Sequence, residues 1–401
     1  MKYIVLIIDG AAGLPLQERG GKTSLEAAIT SNLDAMAKEG SVGLARTVPP
    51  GMEPGSAVAC MSVIGYDPAV YYKGRASIEA ASMGIPVGNG QAVFRCNLVN
   101  VTDGKMRDYS AGHITSEEAA ALIKTIDEKL GNDKIKFYPG VSYRHILKLI
   151  SREETLEAVC TPPHDISGKA IAEYLPKGKG GDFLLDLMKR SEAVLKDHPV
   201  NIERVKRGEL PATTIWLFWG SGRVTPMPPF KKIYGLKAVL TSGVDLLKGL
   251  GMMSAMDILD IKGVTDGPDS NNVGQIEGAL KALINHDLAV VHIEAPDELG
   301  HTGNMDGKIK AIEKIDAEVV SRLCAYKSDL RVLIMPDHPT PISVRTHTPE
   351  PVPFLMWGKG IHKNGAARFT ELEGKKTGLF FEEGHKIMAR LTGRGISVVS
   401  E

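Results

Sequence analysis

The stretch Tyr3-Ile4-Val5-Leu6-Ile7-Ile8-Asp9-Gly10 decides the fold. Its apolar run is unbroken and rich in β-branched side chains. A strand with one wet face would alternate; this one has the look of a strand covered on both faces, as in parallel sheets packed between helices. The run ends in an acid and a glycine. Ligands of open parallel sheets gather at the carboxyl ends of strands, so Asp9 stands where chemistry is done.

Two later runs repeat the pattern. Leu288 to Ile293 leads into Glu294-Ala295-Pro296-Asp297, and Arg331 to Met335 leads into Pro336-Asp337. Around them runs a strand-then-helix rhythm. Helical spacing covers Ser24–Lys38 and stops at Gly40. Val42–Val48 is a strand, and a rigid Pro/Gly loop over 49–55 opens a helix at Ser56. Further strands are expected over 237–241, 258–262 and 353–357, and helices over 244–250, 271–285 and 305–326. The class is α/β, a mostly parallel sheet with helices on both faces.

The middle of the chain differs. Val93–Val101 alternates like an antiparallel strand, and Thr115 with Glu118 is a capping box opening a helix to Leu130. Residues 135–138, 143–150 and 213–218 are further strands. The expectation is a discontinuous core, 1–95 with 230–401, interrupted by a smaller α+β domain over 96–229.

Composition narrows the function. With 401 residues, 43% hydrophobic and 24% charged, two soluble domains are expected. Lys+Arg and Asp+Glu are 48 each, so no net field draws nucleic acid or an anionic membrane. Aromatics at 5% do not build base-stacking platforms. No run approaches the ~18 apolar residues of a membrane span. The cysteines Cys60, Cys96, Cys160 and Cys324 form no C-x-x-C pair, which fits idle thiols in a reducing cytoplasm.

Chemistry concentrates at the three strand ends. One Asp after a strand is usually a turn residue or a helix cap; three with imidazole neighbours are harder to dismiss. Asp297 precedes His301 by four, Asp337 is followed by His338, and His347 lies in a Pro/Thr loop just beyond. Carboxylate and imidazole sets suit Mn²⁺ or Zn²⁺, and harder oxygen sets suit Mg²⁺. The remaining histidines mostly take the ordinary reading of hydrogen-bonded structural residues. Ser56, after Pro54-Gly55 at a helix start, is an N-cap serine or a nucleophile beside a site that favours phosphate. Gly21-Lys22-Thr23 mimics the end of a phosphate loop, but Leu16 stands where that loop needs glycine. Asp9-Gly10-Ala11-Ala12-Gly13 lacks the G-x-G-x-x-G spacing of a dinucleotide site.

Ile8-Asp9-Gly10, Gly20-Gly21-Lys22-Thr23-Ser24, Pro54-Gly55-Ser56, Gly65-Tyr66-Asp67-Pro68 and Tyr72-Lys73-Gly74-Arg75 resemble the archaeal-type cofactor-independent phosphoglycerate mutases. So do Glu294-Ala295-Pro296-Asp297-Glu298-Leu299-Gly300-His301, Asp337-His338-Pro339-Thr340-Pro341 and Arg345-Thr346-His347-Thr348. The resemblance spans nearly the whole chain. It implies an alkaline-phosphatase-like core with an inserted substrate-binding lid. It implies that Asp9, Ser56, Asp337 and His338 hold one divalent ion, that Asp297, His301 and His347 hold the other, and that Ser56 is phosphorylated. Mn²⁺ is the first choice, with Mg²⁺, Co²⁺ or Zn²⁺ as alternatives. It assigns substrate contacts to Arg75, Arg95, His113, Arg144 and His164, and a small phosphorylated three-carbon acid as substrate in glycolysis and gluconeogenesis. Met106-Arg107-Asp108-Tyr109-Ser110-Ala111-Gly112-His113 also resembles a bacterial branch proposed to act as homoserine kinase. A plain metal-dependent phosphatase or phosphodiesterase would use the same seven core residues.

Overall fold

The central strand of the larger sheet is the opening apolar run. The structure, a computed structural model, describes residues 1–326 and 328–395. Among these the strands are β1 (Lys2–Ile8), β2 (Ser41–Ala45), β3 (Gln91–Thr102), β4 (Lys105–Asp108), β5 (Ile135–Tyr138), β6 (Arg144–Ile150), β7 (Thr214–Ser221), β8 (Ala238–Thr241), β9 (Asp257–Ile258), β10 (Leu288–Ile293), β11 (Leu330–Met335), β12 (Val352–Gly358) and β13 (Phe380–Phe381). The larger sheet runs β13-β2-β12-β11-β1-β10-β8-β9. Only the pairings of β12, with β11 and with β2, are antiparallel; the others are parallel. Ile4 to Ile8 are fully buried, as a strand covered on both faces requires.

The expected helix over 24–38 is two helices, Ser24–Ala27 and Ser31–Glu39. The break has a visible cause. The Arg368 guanidinium donates to the carbonyls of Glu26 (3.1 Å) and Ala28 (3.0 Å), with Asp34 as its ion-pair partner at 3.0 Å. These contacts satisfy backbone acceptors at the helix end from outside.

The chain divides into two compact units, Met1–Tyr72 with the residues from Pro226 onward, and Lys73–Thr225. The first junction therefore precedes the expected one at residue 95. Helix Arg75–Ser82 explains the difference: its Ala76 and Ala80 pack with Val93 and Ile146 of the smaller sheet. In that second unit β3 is central, antiparallel to β6 and β4 along one edge and to β7 along the other. Helices Ser116–Leu130 and Gly181–Leu195 contribute Leu122, Ile126 and Leu187 to a core with Phe94, Leu98, Leu147 and Trp216. The β3–β7 register steps from Val93↔Ser221 to Arg95↔Phe218, so Trp219 and Gly220 face Phe94 in a bulge. No described helix is long and apolar enough to cross a membrane.

Candidate active site and metal centre

Parallel pairing aligns three strand ends. Ile8 lies opposite Ile293, and Ile7 opposite Met335. Asp9 follows β1 and donates its N–H to Ile293 O at 3.0 Å. Asp297 sits in the first turn of helix Ala295–His301, and Asp337 lies just past β11. The approach is close enough to need a glycine. Gly10 has φ +60°, and a Cβ there would lie 2.7 Å from the Cα of Asp297. Its N–H donates to Asp337 Oδ1 at 3.2 Å, as does the N–H of His338 at 2.8 Å.

With Oδ1 so occupied, Asp337 turns Oδ2 inward, 3.2 Å from His338 Nε2 and 3.3 Å from the Cys60 thiol that donates to it. His338 Nε2 also lies 3.6 Å from Asp9 Oδ1 and 3.2 Å from Ser56 Oγ. Ser56 is the first residue of helix Ser56–Val63 and is 7% exposed, whereas Asp9, Asp337 and His338 are fully buried. Asp9, Asp337 and His338 can each point a ligand atom to one centre, all within 4.8 Å of one another.

Asp297, His338 and His347 form a second such group. His301 joins it: its Nε2 is 3.1 Å from both Asp297 Oδ2 and His347 Nε2. His301 Nδ1 bonds the carbonyl of Arg345 at 3.1 Å, which in the neutral ring leaves Nε2 with the lone pair. Thr340 Oγ1 donates to Asp297 Oδ1. The structure thus brings Asp9, Ser56, Asp297, His301, Asp337, His338 and His347 together, with His338 between the two groups.

The electrostatics of this cluster call for cations. Burial, then the charges of Asp337 and Asp297, push the Asp9 carboxyl well above its usual range. Its Oδ1 is buried with no hydrogen-bond partner. Burial also pushes Glu294 well up, with Asp9 adding to the effect. His338 is pushed down by burial to about 4 and stands neutral, as a ligand must. Burial opposes the charge on Asp297, but the hydrogen bonds of His301 and His347 hold that carboxyl well below its usual range. Crowded carboxylates, a neutral imidazole and an orphaned buried oxygen fit a divalent cation.

Residues outside the expected set complete the site. His292 of β10 is fully buried and its Nε2 meets Asp9 Oδ2 at 2.7 Å. Glu294, Cys60 and Thr340 also touch the cluster. The only local signal for His292 is a polar residue inside an otherwise apolar strand, which does not by itself point to Asp9.

The five expected substrate residues all lie in the second unit. Glu79 joins two of them, bonding Arg75 Nε at 2.9 Å and Arg95 Nη1. Burial opposes its charge, yet Arg95 and Arg75 hold its carboxyl below the usual range. Arg75 stacks over Trp219 at 4.4 Å, and His164 lies 5.5 Å from the same ring. Arg144 stacks on Tyr143 at 5.5 Å, and Tyr143 meets Tyr109, itself 6.2 Å from His164. The structure thus links Arg75, Arg95, Arg144 and His164 through aromatic rings. His113, at φ +52°, donates its N–H to Ser110 Oγ at 3.0 Å, and among the described residues no ring contact joins it to the set. The aromatic members, Trp219, Tyr143 and Tyr109, were not foreseen, because they come from three separate segments.

A family model described as 2,3-bisphosphoglycerate-independent phosphoglycerate mutase matches residues 37–201. A protein of that name from Methanosarcina barkeri is 48% identical, covering 94% of this chain and 96% of that one. A Geobacter sulfurreducens protein, named a probable member, is 45% identical over 98% of this chain and all of its own length. Among solved structures, a Pyrococcus horikoshii protein matches with a TM-score of 0.82 at 25% identity, over 100% of this chain and 99% of that one. The cofactor-independent phosphoglycerate mutase of Thermoplasma acidophilum matches with a TM-score of 0.63 at 26% identity, over 98% and 99%. Fold and relatives define an α/β enzyme of the isomerase class. The chain belongs to the family of 2,3-bisphosphoglycerate-independent phosphoglycerate mutases.

Proposed function

We propose that this chain interconverts 3-phosphoglycerate and 2-phosphoglycerate through a phosphoserine on Ser56, with two divalent cations, Mn²⁺ in the first instance. The names of its relatives support the substrate. The observation that carries the reaction is Ser56 Oγ, at a helix N-terminus, 3.2 Å from His338 Nε2 in the acidic cluster. Asp9, Ser56, Asp337 and His338 would hold one cation, and Asp297, His301 and His347 the other. Cations bound there would supply charge neutralisation at phosphoryl oxygens and acidify a coordinated hydroxyl.

The chain's own residues then do the following. Ser56 Oγ attacks phosphorus; the Oγ–P bond forms as the bond from phosphorus to the glycerate oxygen breaks, and the proton lost from the Ser56 hydroxyl is balanced by one gained at that departing oxygen. The positive end of helix Ser56–Val63 favours the phosphoserine dianion. The phosphoryl group returns to the other glycerate hydroxyl, and Ser56 is regenerated. Arg75, Arg95 and Arg144 supply planar donors suited to carboxylate and phosphate oxygens.

The test is rapid quenching of Mn²⁺-loaded enzyme with phosphoglycerate, followed by peptide mass spectrometry. Phosphate is expected on the Ser56 peptide and absent in Ser56→Ala. Full activity in excess chelator after long dialysis would overturn the metal reading. Turnover of homoserine with ATP, but not of 3-phosphoglycerate, would overturn the substrate.

A further inference from the structure

We infer that His292 is a positioning residue for Asp9, holding one carboxylate oxygen so that the other faces the cation. The inference rests on the metal reading above. A carboxylate has two equivalent oxygens, but the surroundings of Asp9 make them unequal. Oδ2 meets His292 Nε2 at 2.7 Å, while Oδ1 is buried without a hydrogen-bond partner, 3.6 Å from His338 Nε2.

The ring is fixed from behind. His292 Nδ1 lies 2.9 Å from Ser242 Oγ, which already accepts the N–H of Val244 at 2.9 Å. The hydroxyl hydrogen is therefore free to donate to Nδ1, and a ring that accepts there carries its own hydrogen on Nε2. Nε2–H then points at Asp9. Glu294 Oε2 also faces Nε2, but at 3.4 Å it is the weaker acceptor. The backbone is held too: Gln275 Nε2 donates to His292 O at 3.0 Å, and the strand pairing sets His292 opposite Ile7. A chain from Val244 through Ser242 and His292 so decides which oxygen of Asp9 is left bare. Partners behind a ligand commonly orient it and tune its affinity in this way.

The experiment is calorimetric titration of Mn²⁺ into the metal-free full-length chain. His292→Gln keeps an N–H donor; His292→Met fills similar volume without one. Both are first checked for a cooperative melt. The affinity of His292→Met is expected to fall about 10–100-fold, with His292→Gln retaining most of the wild-type affinity. Equal affinity of His292→Met and wild type overturns the inference alone. Equal weakness of both variants overturns it as well, since the donor would then not matter. A wild-type chain that takes up no Mn²⁺ overturns the metal reading itself. If His292→Met does not fold, Ser242→Ala carries the test: of the His292 ring it touches only the far nitrogen, and undiminished affinity there overturns the relay.

Discussion

Asp9 and Glu79 are both buried carboxylates, and their surroundings push them in opposite directions. At Asp9 burial is reinforced by Asp337 and Asp297, and the carboxyl rises. At Glu79 burial is overcome by Arg95 and Arg75, and the carboxyl falls. The second unit balances its own buried charge; the strand-end cluster of the first does not. A cluster that stores unbalanced negative charge is shaped for a partner the chain lacks. A cluster that neutralises itself, with arginine in excess, is shaped to receive an anion.

The largest effect that could break this contrast lies at the reacting atom. Ser56→Ala is expected to lower kcat by about 10⁴-fold or more, because covalent transfer is lost. Mn²⁺ uptake should largely survive, since Asp9, Asp337 and His338 remain. Near-native turnover would remove the nucleophile from the strand-end cluster.

The next test sets the two acids against each other. Glu79→Gln strips the counter-charge from two arginines and should destabilise the chain by about 3–5 kcal/mol in urea melts. Asp9→Asn removes a repelled charge, so the metal-free chain should melt no lower than wild type, while Mn²⁺ affinity collapses. Equal destabilisation by both would erase the distinction.

A smaller effect is readable in the pH dependence of the second unit. His145 in β6 is buried, accepts the N–H of Gly140 at 3.0 Å, and burial pushes it down to about 3. The unfolded chain therefore binds its proton first, with the ordinary value near 6.5. Its contribution is complete above that value and is lost as pH falls toward 3, by about 1.4 kcal/mol per unit at most. His145→Gln, which cannot titrate, should flatten the stability slope between pH 4 and 6.5. An unchanged slope would acquit His145.

Smallest is Trp219→Leu. Removing the ring under Arg75 costs a cation–π contact of about 0.5–2 kcal/mol. KM for phosphoglycerate should rise several-fold with kcat little changed. A fall in kcat alone would move Trp219 out of substrate recognition.

The contrast also separates what could be read from the sequence. The strand-end cluster was legible because parallel strands deliver their acids to one edge: Ile8, Ile293 and Met335 announce Asp9, Asp297 and Asp337 by local pattern. His292 was hidden by the same logic, since a histidine within a buried strand looks structural until its partner across the sheet is known. In the second unit the arginines could be named from motifs but not their setting. Trp219 owes its aim to a bulge against Phe94, with φ +49°, and no local pattern announces a two-for-one register. The break at Ala28 was invisible for a related reason: its cause, Arg368, lies more than three hundred residues away.

Strand β1, between β10 and β11, has a consequence for the birth of the protein. Strand β1, at the centre of the large sheet, is made well before its two neighbours, which follow some 280 residues (288 − 8) later. At about 5–20 residues per second, β1 waits roughly 15–60 s on the ribosome before it can pair. Throughout that wait an aggregation-prone apolar segment is open to chaperones. The sheet of the second unit, complete once residue 221 is made, has no such delay. The nascent chain cannot assemble the strand-end cluster until β11 and His347 have emerged.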